Sequence, residues 1–157
     1  MHEAARPAAE ADLPEIAALY RASLSEVAAQ RGGAVIIATD ALREPLEDEL
    51  KLLCASEHAL VLAGTLDDAV VGMAVARVGD HADGSRLVRV AALYVDPPTR
   101  EVGVGEALVA SVLGWTAQVG AVGLDIPVLP GARVAKRFLE GEGFVARLLV
   151  MHRAIDR

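Results

Sequence analysis

The sequence predicts an α/β (α+β) fold with a mixed central sheet and helices on both faces, in the order β-α-α-β-β-β-α-β-α-β. Three observations predict it. Helical apolar stripes alternate with short valine-rich runs, and 54% of the 157 residues are apolar, enough for a core in a chain of this length. No apolar run approaches the roughly 20 residues that span a bilayer. We expect a single domain over residues 1–157, because no repeat or low-complexity linker divides the chain.

The chain is predicted to begin with a strand and a long helix. A short apolar entry around Ala4 to Ala8 leads to Asp12, which forms a capping-box-like helix start with Glu15 three residues later. Apolar residues at i, i+3, i+4 and i+7 spacing then form one continuous stripe as far as Ala28. The helix is predicted to end near Gly32 and Gly33.

A second helix is predicted from about Pro45 to Ala55, where three leucines share a face. Four carboxylates lie close together near its start. They either form a solvent-exposed face or attract a cationic amine. Cys54, the single cysteine, excludes an internal disulfide and offers no metal cluster, and we interpret it as a small buried residue. The leucines are Leu46, Leu50 and Leu53, and the carboxylates belong to Glu44, Glu47, Asp48 and Glu49.

Three antiparallel strands are predicted next, at Ala59 to Thr65, Ala69 to Val78 and Arg86 to Val95. The first two are joined by a tight acidic turn with Leu66, Asp67 and Asp68, and the second turn covers Gly79 to Ser85. The remaining predicted elements are a helix at Val104 to Val119, a buried strand at Val122 to Val128, a short helix at Ala132 to Gly141, and a last strand at Phe144 to His152.

The charge balance disfavours nucleic acid as a partner. The net charge is −7, and residues 1–95 hold 15 acidic and 8 basic residues, whereas residues 96–157 hold 7 of each. The neutral second half tolerates an anionic ligand better. With 13 arginines against 2 lysines the composition indicates a GC-rich, bacterial coding genome, and Glu3 and Arg6 do not fit a secretory leader, so we expect a cytoplasmic protein that does not enter the membrane.

The most informative segment is Asp96-Pro97-Pro98-Thr99-Arg100-Glu101-Val102-Gly103-Val104-Gly105, between a predicted strand and a predicted helix. Prolines end the strand, and two glycines allow a ligand close to the helix start, where the first amide groups have no partner. Such a terminus binds phosphate. A P-loop is excluded because its G-K-[ST] ending is absent, and a dinucleotide fingerprint is incomplete because Leu108 stands where the third glycine belongs.

These residues resemble the signature of the GNAT superfamily of N-acetyltransferases. Leu93-Tyr94-Val95-Asp96-Pro97 is similar to the family's central strand end, and Arg100-Glu101-Val102-Gly103-Val104-Gly105 to its [Q/R]-x-x-G-x-[G/A] helix start. The resemblance extends to Arg6-Pro7-Ala8 near the start and to Gly141-Glu142-Gly143-Phe144 near the end.

The resemblance implies acetyl-CoA as cosubstrate, with no metal. Its pyrophosphate would lie on the amides of Val102 to Gly105, within a loop that starts at Arg100 and Glu101. Its pantetheine arm would pair like a strand with Leu93, Tyr94 and Val95. Basic side chains around this half, namely Arg100, Arg133, Lys136 and Arg137, are either contacts for the 3′-phosphate of CoA or surface charge.

Two residues of the family pattern have no counterpart. Leu139 stands where the family often has a tyrosine acid, and Ala132 where it often has asparagine. The predicted strand Arg86 to Val95 also lacks the frequent glutamate base. A thiol with pKa about 8.5 leaves as thiolate at pH 7 for roughly 2 kcal/mol, whereas an amine with pKa about 10.4 needs nearly 5 kcal/mol to lose its proton. We therefore expect an acceptor amine that is weakly basic or is deprotonated through water.

No catalytic residue is assigned by the sequence, and three side chains are weak candidates. Asp125 is a carboxylate among aliphatic residues, which is costly unless it is paired or functional. His58 precedes a strand, and it is a candidate proton relay only if it lines the cleft in which the substrates react. Tyr94 lies on the signature strand itself.

Three functions remain open on these observations. The first is an acetyl-CoA-dependent N-acetyltransferase that acts on a small-molecule or peptide amine by direct attack. The second is a non-catalytic GNAT-fold domain that senses acyl-CoA or serves in assembly. The third is a domain that binds no CoA at all. A homodimer is a further expectation from the resemblance.

Overall fold

The computed structural model describes residues 1–156. They form five strands, five α-helices and two short 3-10 helices. The mixed sheet confirms the predicted α/β fold, and the order of elements is close to the predicted one. In chain order the elements are β1 (Glu3–Pro7), α1 (Leu13–Ala28), α2 (Gly33–Asp40), α3 (Leu46–Ala55), β2 (Ala59–Leu66), β3 (Ala69–Asp80), β4 (Arg86–Val95), α4 (Val104–Gln118), β5 (Leu124–Asp125) and α5 (Arg133–Gly141).

The sheet has the spatial order β1-β2-β3-β4-β5. Its first four strands are antiparallel neighbours, and β5 runs parallel to β4. The turn between β2 and β3 consists of Asp67 and Asp68, which have φ of 48° and 69°. A two-residue hairpin turn needs positive φ at both residues, because only then does its twist match that of the strands. Both ends of β4 lie where the valine-rich pattern places them.

Helices cover both faces of this sheet, as the sequence predicts. On one face α1 and α3 pack against β2 and β3, and Ile16 and Leu50 are fully buried there. On the other face α4 packs against the sheet through Val104, Leu108 and Val112. Each such side chain contributes about 1.5–3 kcal/mol by leaving water, so aliphatic residues form both cores with few aromatics.

The start of α1 differs from the predicted capping box. Asp12 has helical backbone angles and does not cap α1. Its buried carboxylate instead accepts a hydrogen bond from the Ala9 amide at 2.7 Å and binds the Arg6 guanidinium, with 3.0 Å between Arg6 Nη2 and Asp12 Oδ1. A hydrogen bond from a charged guanidinium is stronger than one from a helix amide, so Asp12 binds Arg6 instead of capping α1. Asp12 thereby connects β1 to the turn before α1.

Three other predictions about the first half are corrected. The first helix ends at Ala28, and Gly33 opens the additional helix α2, which the sequence analysis did not predict. Gly32 has φ of +82°, so it turns the chain from one helix into the next. Cys54 is exposed, because it falls at the margin of the leucine stripe of α3.

The last part of the chain departs most from the prediction. The strand expected at Val122 to Val128 has only two paired residues, Leu124 and Asp125. The strand expected at Phe144 to His152 is absent from the described residues, where this segment has no regular structure. Apolar composition favours a strand, but a strand exists only where a neighbouring edge pairs with it.

Candidate functional site

The site begins where β4 and β5 separate. These strands pair only at Val88–Leu124 and Arg89–Asp125, after which β4 continues to Val95 without a partner on that side. The chain after β5 runs through Ile126 to Pro130 without strand pairing. The backbone of β4 from Val90 onward therefore borders a gap, which we call the β4–β5 gap, and its polar groups can bind an extended ligand.

A β-bulge lies on β4 beside this gap. Val90 pairs with Ala76 and Ala92 with Val75, so Ala91 is an extra residue with no partner in β3. A bulge redirects the backbone and leaves peptide groups outside the ladder. The polar groups around Ala91 are therefore available to the gap.

The loop before α4 has the backbone of an anion site. Gly103 has φ of +97° and Glu101 has φ of +66°, which is rare for a residue with a side chain. No side chain caps α4, so its first amides have no partner within the helix. These free amides stand at the positive end of the helix dipole.

Two facing glycines hold the start of α4 against the sheet. Gly64 of β2 pairs with Gly72 of β3, and both lie under Val104. A Cβ at Gly64 would be 2.8 Å from Val104 Cγ1, and one at Gly72 would be 3.1 Å from the carbonyl oxygen of Tyr94. Only glycine permits this approach, so the position of the loop is fixed by packing.

Arg100 joins the loop to the end of β4. Its Nε donates to the Val95 carbonyl oxygen at 2.8 Å, and its Nη2 lies 2.9 Å from Glu26 Oε2 on α1. Its guanidinium also lies 5.2 Å from the ring centroid of Tyr94. The bond to Glu26 raises the pKa of Arg100, and this cation is therefore paired with a carboxylate next to the loop.

Glu3 lies against the same loop from the other side. A Cβ at Gly103 would be 2.9 Å from Glu3 Cγ. Gly105 lies against Phe138 of α5. A Cβ placed at Gly105 would be 3.3 Å from Cζ of the Phe138 ring. The two glycines of the motif are thus each in close contact with a side chain, and the loop has no room for larger residues without rearrangement.

The three catalytic candidates do not meet. Tyr94 and Asp125 both border the gap, but Asp125 is opposite Arg89, five residues before Tyr94, or about 16 Å along an extended strand. His58 is exposed at the start of β2, with all of β3 between it and β4. Burial raises the pKa of the Tyr94 hydroxyl, so Tyr94 is protonated at neutral pH.

Asp125 is one member of a row of ion pairs across three strands. Arg77, Arg89 and Asp125 occupy matching positions on β3, β4 and β5, so they point to one face of the sheet. Arg77 binds Glu49 of α3 at 3.2 Å, and Asp125 binds Arg147, with 2.7 Å between Arg147 Nε and Asp125 Oδ1. The predicted cost of a carboxylate on this strand is offset by its partner.

Arg89 connects this row to α2. Asp40, at the end of α2, accepts from Arg89 Nε and Nη2, both at 2.9 Å. At the other end of α2, a Cβ at Gly32 would lie 3.4 Å from Leu129, which follows β5. The chain around α2 therefore lies against Arg89, where β4 and β5 still pair, and against Leu129 after β5. Arg89 lowers the pKa of Asp40, so its carboxylate is ionised at neutral pH.

The sequence analysis missed Asp40 and α2 because two glycines in succession are typical of a helix end. The apolar run Val35-Ile36-Ile37 directly after them is the signal that could have indicated another helix. The link from α2 to α3 is also fixed, because the buried Tyr20 hydroxyl accepts from the Leu42 amide at 2.7 Å.

The acidic start of α3 is divided between structural and free carboxylates. Glu44 accepts from the Leu46 amide at 2.8 Å and lies 3.5 Å from Arg21, and Glu49 binds Arg77. Glu47 and Asp48 are exposed and have no ion-pair partner among residues 1–156. Two of these carboxylates thus have ion-pair partners, and two have none among residues 1–156.

Helix α5 has a mixed role. Leu139 is buried, at 6% exposure, and Ala132 precedes the helix without capping it. Lys136 pairs with Glu140, whereas Arg133 and Arg137 form no ion pair within the described part of the chain. Leu139 is therefore a core contact.

The loop and the gap fit acetyl-CoA on their own geometry. Uncapped amides, a left-handed Gly103 and a neighbouring arginine suit a pyrophosphate, and the unpaired edge of β4 suits an extended arm. No group of three or more potential metal ligands occurs in residues 1–156. No helix in the same range is long and apolar enough to cross a membrane.

Comparison with known proteins agrees with this geometry. A curated relative, aminoglycoside N(6')-acetyltransferase type 1 of Stenotrophomonas maltophilia, is 37% identical over 81 residues, which cover 49% of this chain and 53% of the relative. The match thus spans about half of that protein.

Two solved structures share the fold. An aminoglycoside acetyltransferase, meta-AAC0020 from an uncultured soil metagenomic sample, in complex with sisomicin, has a TM-score of 0.71 at 19% identity, covering 99% of this chain and 96% of that one. AAC(6')-Iy in complex with the bisubstrate analogue CoA-S-monomethyl-acetylneamine has a TM-score of 0.72 at 17% identity, covering 99% and 100%. The Acetyltransferase (GNAT) family model matches residues 18–144, which is most of the chain, and this protein therefore belongs to that family.

Proposed function

We propose that this protein transfers the acetyl group of acetyl-CoA to a small-molecule or peptide amine. The observation that carries the proposal is the uncapped start of α4, with its left-handed Gly103, directly beside the unpaired edge of β4. Family membership supports acetyl transfer, and the structural neighbour bound to CoA-S-monomethyl-acetylneamine supports CoA and an amine as the two substrates.

In this proposal the cosubstrate binds along two adjoining segments. The backbone of Leu93, Tyr94 and Val95 pairs with the pantetheine arm, and the loop from Arg100 through Glu101, Val102, Gly103 and Val104 to Gly105 binds the pyrophosphate. Each amide that bonds a charged oxygen contributes about 1.5–3 kcal/mol, so three or four suffice without a lysine. Arg100 adds a cation next to these amides.

The chemistry requires few side chains. Acetyl-CoA supplies an acetyl group activated as a thioester. The amine nitrogen bonds to the carbonyl carbon, the carbon–sulfur bond breaks, the sulfur leaves as thiolate, and the nitrogen loses its proton to water. Backbone groups at the Ala91 bulge orient the carbonyl in this scheme. Holding the two reactants in place accounts for about 7–11 kcal/mol of the barrier.

We further propose that the acceptor is a cationic amine bound under α2. The supporting features are the ionised Asp40 and the neighbouring Asp125, which flank Arg89 at the narrow end of the β4–β5 gap. The relative from Stenotrophomonas maltophilia suggests aminoglycosides, which carry several amines, as one acceptor class. Asp40 is paired with Arg89, which lowers its pKa, so this carboxylate is too weak a base to deprotonate the acceptor amine.

Replacing Asp40 with Asn tests the acceptor site. We expect the KM for a cationic amine to rise by about tenfold, because Arg89 is left without its partner and repels the cation. The affinity for acetyl-CoA should stay the same. Asp80→Asn is the matched control, since it removes another Asp–Arg pair, with Arg86 at 2.9 Å, and Arg86 also donates to the Val119 carbonyl after α4, on the other face of the sheet. Equal KM values for the two variants would contradict this role.

The pH dependence tests the absence of a base. The rate constant kcat/KM for an alkyl primary amine should rise about tenfold per pH unit up to the pKa of the amine, because only the neutral amine attacks. A flat profile from pH 6 to 9 would show that a residue of the protein removes the proton. The measurement is thiol release from acetyl-CoA at saturating cosubstrate.

A second candidate function is a non-catalytic acyl-CoA sensor. The observation that favours it is Leu139, whose buried aliphatic side chain cannot protonate a thiolate. Acetyl-CoA binding without thiol release on any amine would support the sensor. No binding at all would exclude both candidates.

A further inference from the structure

Helix α2 is almost entirely apolar, yet its side chains join neither core. Its sequence is Gly-Ala-Val-Ile-Ile-Ala-Thr-Asp, in which Asp40 is the single ionisable residue. Val35, Ile36 and Ile37 are half-buried, and neither of the two cores formed within residues 1–156 includes them. Aliphatic side chains that are partly covered but lie outside the core are typical of the wall of a binding site.

One face of α2 is turned toward the sheet. The residues three, four and seven positions before Asp40 share its face of the helix, and they are Ile37, Ile36 and Gly33. Asp40 binds Arg89 of β4 at 2.9 Å. Gly33 is buried against the end of α1, where a Cβ would lie 1.8 Å from a carbonyl oxygen of that helix. The two isoleucines therefore lie on the side of α2 that contacts α1 and β4.

Both sides of the β4–β5 gap are apolar as well. Residues 126–130 have the sequence Ile-Pro-Val-Leu-Pro, and the first four of them are half-buried. No ionisable residue occurs between Asp125 and Arg133. On the other side, residues 90–95 of β4 contain Tyr94 as their single ionisable residue. The gap therefore offers aliphatic side chains and backbone groups along its length.

The three carboxylates that border the gap are each paired with an arginine. The pairs are Asp40 with Arg89, Asp125 with Arg147, and Glu26 with Arg100. A carboxylate that already binds a guanidinium attracts a further cation only weakly, because the guanidinium repels it. The gap thus gives little attraction to an acceptor that carries several ammonium groups.

We propose that the acceptor is a primary amine with one charged nitrogen and an apolar body, that is, an alkyl or arylalkyl monoamine. The apolar body packs between the isoleucines of α2 and residues 126–130, and the nitrogen lies toward the bulge at Ala91. This inference rests on the proposed acetyl transfer and narrows its acceptor class. Small-molecule sites are lined mostly by apolar side chains, with a few polar groups that fix orientation.

Acceptors with several charges fit less well. A polyamine or an aminoglycoside would bring ammonium groups against the aliphatic side chains of α2, where a charge without a partner is costly to bury. In its acceptor this chain would therefore differ from the relative of Stenotrophomonas maltophilia, an aminoglycoside N(6')-acetyltransferase.

Two amines of equal length test the acceptor class. Hexylamine and cadaverine have the same number of heavy atoms, and a terminal methyl group in the first replaces a second ammonium group in the other. We expect kcat/KM for hexylamine to exceed that for cadaverine by at least about tenfold. Shortening hexylamine toward propylamine should lower kcat/KM by about fourfold for each methylene removed. The measurement is thiol release at saturating acetyl-CoA.

The aminoglycoside sisomicin is the third acceptor in this comparison, and it should react more slowly than hexylamine. A preference for cadaverine or sisomicin would overturn the apolar acceptor and leave acetyl transfer intact.

Binding without turnover separates this inference from the proposed reaction. Isothermal titration of hexylamine and of cadaverine into the protein saturated with CoA measures the two affinities directly. Tighter binding of hexylamine with no acetylated product would contradict the transferase and support the apolar site. Equal or weaker binding of hexylamine would overturn the apolar site.

Substitutions in α2 test its part in this site. A variant with both Ile36→Asn and Ile37→Asn should reduce the preference for hexylamine over cadaverine by about tenfold, with the KM for acetyl-CoA unchanged. Val35→Asn is the matched control, because Val35 is a half-buried aliphatic residue of the same helix that lies off the Asp40 face. Partial unfolding would lower both rates together, so the ratio of the two rates reports on the site. An unchanged ratio in the double variant would overturn the proposal.

Discussion

The chain up to α4 and the chain after it are built differently. Strands β1 to β4 and helices α1, α3 and α4 bury their apolar side chains in two cores, with Met73, Val75, Val88 and Leu108 at 0% exposure. After α4, in residues 120–156, Leu139 is the single buried side chain. The first region buries its apolar side chains, whereas the second leaves many of them exposed.

The candidate site lies at the boundary between these regions. The loop before α4 is fixed by the closed region, through Gly64, Gly72 and Arg100. The other side of the β4–β5 gap belongs to the open region, where strand pairing stops after Asp125. We infer that the rigid side positions the cosubstrate and that the open side admits it.

The largest expected contrast is in stability. Leu108→Ala should cost about 2–5 kcal/mol, because it leaves a cavity between α4 and the sheet. Leu148→Ala truncates a leucine that is 78% exposed, so it should change the free energy of unfolding by less than about 0.5 kcal/mol. Urea denaturation of both variants at low concentration measures the difference, and similar losses would refute the division into two regions.

The next contrast concerns the loop. Gly103→Asp should weaken acetyl-CoA binding by about 10- to 100-fold, because a carboxylate beside Glu3 would repel the pyrophosphate and a left-handed backbone would be strained. Gly84→Asp is the control, since Gly84 has φ of +84° and open space around it. Isothermal titration should show native affinity for Gly84→Asp. Native affinity for Gly103→Asp as well would remove the loop from the cosubstrate site.

The smallest effect concerns pH. Arg6 lowers the pKa of Asp12, and Arg89 lowers that of Asp40. A depressed carboxyl pKa stabilises the fold above the ordinary value of about 3.9, and this contribution is lost as pH falls through the lowered value. Asp12→Asn should therefore cost about 1 kcal/mol at pH 7, and this cost should shrink as pH falls through the lowered pKa of Asp12.

The control for this pH effect is Glu57→Gln, an exposed carboxylate. Denaturation of both variants from pH 7 to pH 2 provides the comparison. If the Asp12→Asn difference persisted at the acid end, its cause would be packing rather than charge.

The closed region was also the more predictable one. Both ends of β4, the Asp67–Asp68 turn and the start of α4 follow from local patterns of apolar, proline and glycine residues. Such patterns act within a few residues, so they can be recognised in one chain.

The rest of the structure depends on long-range contacts. Helix α2 is held by Asp40 on Arg89, 49 positions away, and no local signal indicates that pair. The predicted strand at Phe144 to His152 failed because its composition is that of a strand but no edge within residues 1–156 pairs with it. Asp125 is paired with Arg147, 22 positions away, and no local signal indicates that partner either.

The most direct test of the account is thiol release from acetyl-CoA in the presence of a panel of amines, with mass spectrometry of the products. The panel should include an aminoglycoside, a polyamine, a simple alkyl amine and a peptide with a free N-terminus. We predict release that requires an amine, an acetylated product, and loss of both in Gly103→Asp but not in Gly84→Asp. Acetyl-CoA binding with no acetylated product from any amine would contradict transferase activity and favour the sensor.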